Sequence, residues 1–471
     1  MSLLASTTGR SIARATTLLI PSSTSTSSSG GVTVLLESRR YASRRRAHEK
    51  AAKKKTGVQR DAMGNPIAPK KERTPPLFTP LPVDQLQPFP VFEVEARPAP
   101  EETKLPIFRK LDQHSVGKAF QFSNDASEAR KQLGLPKSVW KEFKLLAKPV
   151  SVVRGITLDA VNMLAKVQRE STSSLDTRVV FTGRSGSGKS YLLLQAVEWC
   201  LAHGWIVLYI PRAVNLVNST TPYHYDLRTK TFFQPEAAYQ ILHRARVANA
   251  KTFKGLKTKE SLTIAGAAKP IPAGTILYDL LDIPREQLAQ APIILGTLLK
   301  ELEGHTANPV LLAIDDFQAL FNKSLYRDPH FKPISTYHLH TPRLLLDYTS
   351  GRRSFTHGAV LGALTSTDPK FPISLELQDQ LGAESLSRQP SAPEPYVLRS
   401  KILGEYLDGV KSVEVPKSLS VDEAGSVFEV WMKQRMLASK AHDELFMARY
   451  VESSGNPRDF VWKGLLSTLS T

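Results

Sequence analysis

Little periodic alternation of apolar and polar positions is legible before about Phe108; the pattern starts there. Ile156, Leu158, Val161, Leu164 and Val167 recur at the spacing of one helix face. Four short and nearly continuous apolar runs follow, at residues 178–182, 205–210, 310–314 and 359–364. Runs this short and apolar at consecutive positions read as strands. Helical patterns separate several of them, the alternation that builds a parallel sheet with crossover helices. A fifth strand candidate, residues 413–415, leads into predicted helices over about 421–440 and 443–451. Asn456 then suits a helix cap and Pro457 a first helical residue, ahead of Phe460, Trp462, Leu465, Leu466 and Leu469. The expected fold is thus α/β: a parallel sheet over 108–415, with an insertion at about 215–290, and a helical cap over 416–471.

The octet after the first strand changes this from a fold into a site. Gly183-Arg184-Ser185-Gly186-Ser187-Gly188-Lys189-Ser190 satisfies G-x-x-x-x-G-K-S, the P-loop pattern, between a β-type run and a helix-forming one. The glycines let the backbone wrap until successive N–H groups face phosphate oxygens, and the helix start adds its dipole. Lys189 is expected to meet the β- and γ-phosphates, and the Ser190 hydroxyl to join a magnesium shell. Asp315 ends the third strand on the edge where open α/β sheets bind ligands, and is expected to hold magnesium through water. Asp316 takes the place where P-loop ATPases of the additional-strand, AAA-like type put a water-activating glutamate. It is one methylene shorter, so it is a catalytic candidate with a short reach. A surface acid that ends the strand is the plain alternative.

Two further positions bear on this site. Thr365-Ser366-Thr367 ends the fourth strand at a sensor-like place, although hydroxyl residues also suit turns. Arg458 could reach phosphates from the cap or be an ordinary surface arginine. No Asn/Thr-Lys-x-Asp element reads guanine, since Asn322-Lys323-Ser324-Leu325 lacks the aspartate. Histidines such as His338 and His340 have no metal-site spacing, and the single cysteine, Cys200, excludes an intrachain disulfide. Its apolar neighbours make it a small core residue.

Charge separates the arm from the body. Of the +18 formal charge, residues 1–75 carry fifteen Lys or Arg against four acids, while the body is only mildly basic. Residues 1–41 are rich in Ser and Thr and contain Arg10, Arg14, Arg39 and Arg40 with one acid, Glu37, the composition of a mitochondrial transit peptide. Arg39-Arg40-Tyr41 suits cleavage after Tyr41. Residues 42–107 then read as an extended arm. Its Arg44-Arg45-Arg46 and Lys53-Lys54-Lys55 suit RNA phosphates, and its prolines oppose a folded core. No apolar run approaches the roughly 18 residues of a membrane span.

The string from Phe181 to Arg212, and that from Pro309 to Phe321, are similar to the death-associated-protein-3 family of mitochondrial small-subunit ribosomal proteins. The resemblance covers roughly residues 108–471 and is weak in the insertion. It implies a protein in the head of the small subunit, near the large-subunit interface, contacting rRNA and neighbouring mitoribosomal proteins in the matrix. It also implies a bound guanine nucleotide, GTP or GDP, with Mg; the residues themselves allow ATP. Family members tend to have Gly where this chain has Asp316, so hydrolysis, at most slow, stays open. Two readings stand beside the structural one: a matrix ATPase that remodels protein or nucleic acid, and a nucleotide-gated switch.

Overall fold

The computed structural model describes residues 105–466, apart from 124–125, 147, 262–270, 367, 383–395, 397, 435 and 438–441. The targeting segment, nearly all of the basic and proline-rich arm, Thr367 and Leu469 lie outside the described residues.

Two short strands, β1 (Ala119–Gln121) and β2 (Val150–Val152), pair antiparallel ahead of the main sheet. The helices α1 (Ala126–Leu133) and α2 (Lys137–Leu145) lie between them in sequence, and α3 (Gly155–Glu170) follows. The main sheet is built from β3 (Arg178–Thr182), β4 (Ile206–Ile210), β7 (Val310–Asp315), β10 (Gly358–Ala363) and β11 (Lys411–Glu414). Its spatial order is β11-β3-β10-β7-β4, and every pairing is parallel. The predicted α/β class with a central parallel sheet is therefore present.

The apolar strands sort their side chains onto two faces. Val180, Leu208, Leu312, Ile314 and Val360 pack beneath α5 (Pro235–Ala248), α6 (Ala291–Glu303) and α7 (His340–Ser350). Val179, Phe181, Val207, Leu311, Ala313 and Leu361 pack beneath α3 and α4 (Lys189–Ala202). Leu311 and Leu312 are neighbours in sequence, yet each is at most 1 % exposed, because both faces are covered. Burying such a side chain contributes roughly 1.5–3 kcal/mol, which explains why strict alternation is missing from these strands.

A third cluster, including Phe428, Trp431, Phe460 and Leu465, holds α8 (Val421–Lys433) and the Phe460–Leu465 segment together, with α9 (Asp443–Glu452) against it through Phe446. Ser420 and Glu423 close a reciprocal cap at the start of α8. That helix stops at Lys433, short of the expected 440. Asn456 caps the final segment by accepting from the Asp459 N–H, and Pro457 is its first helical residue. The segment then widens into a π-helical turn over Phe460–Leu465 instead of continuing as a plain α-helix.

The insertion contains structure that sequence did not resolve. Besides α5, it carries the hairpin β5 (His224–Asp226) and β6 (Thr231–Phe233). A second hairpin, β8 (Lys323–Arg327) with β9 (Pro333–Ser335), follows β7.

Candidate functional site

Because all five sheet strands run parallel, their carboxyl ends meet along one edge. Gly183, Arg212, Asp316, Thr365 and Val415 each lie one or two residues past a strand end. The Gly183–Ser190 loop leaves β3 there and feeds α4. Gly183 has φ +120°, and a Cβ on it would sit 2.8 Å from the Val415 carbonyl oxygen. Gly188, at φ +95°, is the cap residue of α4, so the free N–H groups of the first helical turn face the loop. Glycine is required at both places because an L side chain rarely adopts such backbone angles.

Ser190 Oγ donates to Asp315 Oδ1 at 3.0 Å, joining loop and third strand at the mouth of the site. The Asp316 N–H donates to the same Asp315 oxygen at 2.9 Å. Asp315 is 2 % exposed; burial, and then the neighbouring Asp316, push its carboxyl above the usual range. Lys189 is 5 % exposed and donates to the Gly183 and Arg184 carbonyl oxygens at 2.7 and 2.8 Å. Burial, with Arg458 adding to it, lowers its ammonium from the ordinary 10.5 to about 8. A buried cation held by its own loop and a buried carboxyl beside a hydroxyl are groups that phosphate and a divalent cation would each return to full charge. Ser187 Oγ is buried and has no hydrogen-bond partner. These features fit a phosphate-bearing ligand with magnesium. Among the described residues no group of three His, Cys, Asp or Glu side chains could hold a metal. A cation at Ser190 and Asp315 would therefore need oxygens from a ligand or water.

Asp316 has a different environment. Its backbone is left-handed at φ +57°, its carboxylate pairs with Arg212 at 3.3 Å, and it accepts a hydrogen bond from the Thr365 hydroxyl. Gln318 fixes Thr365 from both sides, accepting from its N–H and donating to its hydroxyl. Ser366 Oγ lies 2.7 Å from Ser185 Oγ, so the fourth strand's polar end does touch the loop. Arg458 touches it as well: its N–H donates to the Gly186 carbonyl and its guanidinium reaches Ser185 Oγ at 3.4 Å. The Asn456 amide donates to the Ser185 carbonyl at 3.0 Å, so one side chain both caps the last helical segment and holds the loop.

Sequence reasoning missed the residue with the most links here. Arg154 donates to the Ser187 carbonyl at 2.7 Å, to the Pro416 and Ser418 carbonyls at 3.1 and 3.0 Å, and pairs with Glu423 at 3.3 Å. It thereby ties loop, fifth strand and helical cap into one piece. No motif marks it; its position just before Gly155, at the start of the first strong helical pattern, was the available signal. Arg212 was more legible, as the first charged residue past the second strand.

A cavity of about 450 Å³ opens from the loop toward the cap. Its near wall is Gly186, Lys189, Ser190 and Asp315; its far wall is apolar, with Val139, Leu146, Val430 and Trp431. Glu142 lies in that far wall, accepting from the Tyr191 hydroxyl and from Trp462 Nε1 at 2.6 Å. Burial raises its carboxyl from the ordinary 4.5 to about 6. Cys200, expected in the core, is fully buried in α4.

The model of the family described as mitochondrial ribosomal death-associated protein 3 matches residues 151–462. The chain is 29% identical over 355 residues to the small ribosomal subunit protein mS29 of Schizosaccharomyces pombe, covering 74% of this chain and 70% of the relative. Against the protein of the same name in Neurospora crassa, identity is 28%, covering 73% of each. With the Mus musculus protein it is 24% over 195 residues, 41% of this chain and 49% of that one. The matched region contains the glycine-rich loop, Arg154, both acids and most of the cap, and the chain belongs to the mitochondrial ribosomal death-associated protein 3 family.

Proposed function

We propose that this chain is a structural protein of the mitochondrial ribosome small subunit, in the matrix, and that a purine nucleotide with Mg in its glycine-rich loop stabilises fold and assembly. Its family and its relatives' names support the ribosomal part. The single observation that carries the nucleotide part is the hydroxyl of Ser190 bonded to buried Asp315 beside the loop. The sheet order supports a P-loop NTPase of the additional-strand type: β10 stands between the strand before the loop and the strand that ends in Asp315.

In this reading Gly183, Arg184, Ser185, Gly186, Ser187, Gly188 and Lys189 surround the phosphates. Ser190 and Asp315 hold the magnesium. The nucleotide supplies charge that compensates Lys189 and a ligand bound by the folded state alone. GTP or GDP is the first choice from the family resemblance, and ATP fits the same cradle. The basic segment at 44–55 would meet rRNA phosphates without reading sequence. A remodelling ATPase is the weaker reading, because Asp316 is already held by Arg212 and Thr365, leaving it poorly placed to activate water.

Melting of the purified full chain against Mg-GDP, Mg-GTP and Mg-ATP tests the site. A ligand bound only by the folded state stabilises it by about 2.7 kcal/mol at a hundredfold excess over Kd. The wild type should show that dependence and Lys189→Ala should lose it, whatever the variant's own starting stability. Asp316→Asn, which tolerates the left-handed backbone, should keep nucleotide and small-subunit incorporation. If it stops mitochondrial translation with both normal, a hydrolytic cycle replaces the structural reading.

A further inference from the structure

The segment that leads into the first hairpin packs on β8 of the second. The rings of Tyr223, just before β5, and Tyr326, in β8, have centroids 4.8 Å apart, and the Thr221 and Tyr326 hydroxyls are 2.7 Å apart. The Leu325 N–H also donates to the Val217 carbonyl. Each tip is closed by an aspartate. Asp226 Oδ2 accepts from the Thr229 N–H and hydroxyl, both at 2.8 Å, across a loop of residues 227–230. Asp328 Oδ1 accepts from the His330 and Lys332 N–H groups at 2.9 and 2.8 Å.

Each tip then presents one large apolar side chain to water: Leu227 is 81 % exposed and Phe331 80 %. Phe331 also has φ +61°, a left-handed backbone that a bulky residue rarely adopts. The Arg327 guanidinium fixes it by donating to the Phe331 carbonyl at 2.7 Å. An aromatic ring kept in an unfavourable backbone, yet left in water, contributes nothing to the core. Such an outlier points to use of the ring elsewhere.

Positive charge outweighs negative around these tips. Arg228, Lys230, Arg327 and Lys332 are exposed at the tips, with Lys323 exposed at the other end of β8, and none of them forms an ion pair among the described residues. The nearby acids, Asp226 and Asp328, are taken up in closing the turns. A protein partner with an apolar groove would match Leu227 and Phe331 but would leave four cations to be desolvated. An unpaired RNA segment matches both: phosphates meet the cations, and a base stacks on the ring at little cost in sequence preference.

We propose that the hairpin tips are an RNA-docking surface, taking an unpaired, loop-like stretch of ribosomal RNA, with Phe331 stacking on a base and the neighbouring Lys and Arg side chains holding its phosphates. The proposal rests on the small-subunit reading above and adds a folded contact separate from the basic arm. It is independent of the nucleotide site, since no residue of either hairpin belongs to that site.

The test is ultraviolet cross-linking of intact mitochondrial small subunits, followed by peptide mapping, with the wild-type chain and with the double variant Leu227→Ala, Phe331→Ala. Both side chains are exposed, so the variant is expected to melt as the wild type does. The wild type should give RNA adducts on the peptides that contain residues 225–230 and 327–332. The variant should lose the adduct at 327–332, and loss of one stacked base should weaken that contact about tenfold. Cosedimenting wild-type chain whose adducts fall only on the arm or elsewhere overturns this proposal and leaves the small-subunit reading standing. Adducts or chemical cross-links at the hairpins that lead only to protein overturn it in favour of a protein partner. A wild-type chain absent from small subunits overturns both readings.

Discussion

At the carboxyl edge of the sheet, Lys189, Asp315 and Asp316 are at most 5 % exposed, and each is bonded to its own chain. On the two hairpins the reverse holds: Lys230, Lys323 and Lys332 face water, and Leu227 and Phe331 do too. The first region removes charge from water and must compensate every group internally, because an unpaired buried charge is expensive. The second leaves its charge solvated, so the fold gains little from it. Charge that the fold needs is therefore expected to show in stability, and charge kept for a partner only in binding.

The largest effect is expected at Arg154. It is 12 % exposed and its partner Glu423 10 %, and removing one member of a buried pair costs about 3–5 kcal/mol because the other charge remains. Arg154→Ala should lower the urea midpoint accordingly and loosen the helical cap from the loop. Arg154→Lys should fall between, since a lysine keeps the charge but not the fork that reaches Ser187, Pro416 and Ser418 together. Wild-type stability in the alanine variant would mean that the buried edge is not held as these bonds imply.

Arg154 also shows where sequence stops being informative. The five strands and the loop were legible because each is local: an apolar run, or glycines and a lysine at fixed spacing. The pairing of Ser190 with Asp315 was inferable from strand ends, since a parallel sheet brings carboxyl ends to one edge. Arg154 instead meets residues more than 260 positions away, and no local pattern encodes such a contact. Glu142 was hidden for the same reason, its partner Trp462 being 320 residues distant. The hairpins were hidden by their own composition: β5 and β6 are three residues each, too short for alternation to register.

A second test separates burial from exposure through pH. Glu142 is raised from the ordinary 4.5 to about 6 by burial, so between those values the folded chain holds a proton that the unfolded chain releases. Its contribution is thus fully present below about pH 4.5 and is lost as pH rises through 6, a change of about 2 kcal/mol. Glu142→Gln, which cannot ionise, should flatten that part of the stability profile relative to wild type. Urea midpoints at pH 4.5, 5.5 and 7 would show it. An identical slope in both proteins would place the pH dependence on other groups and remove Glu142 from the buried set.

The smallest effect on stability is expected where the most charge is removed. Lys230→Ala, Lys323→Ala and Lys332→Ala together delete three cations from the hairpin surface, none of which forms an ion pair among the described residues. Their ammonium groups keep their water in the folded and unfolded chain alike, so there is no desolvation to recover and no partner to strand. Surface changes of this kind stay within about 0.5 kcal/mol. The two hairpins are held instead by Tyr223 against Tyr326, by the Asp226 and Asp328 turns, and by backbone pairing, all of which the triple variant keeps. Three charges lost outside should thus cost several-fold less than the one lost at Arg154. A urea midpoint lowered as far as that of Arg154→Ala would mean that these lysines brace the fold, and the division between the two regions would fail.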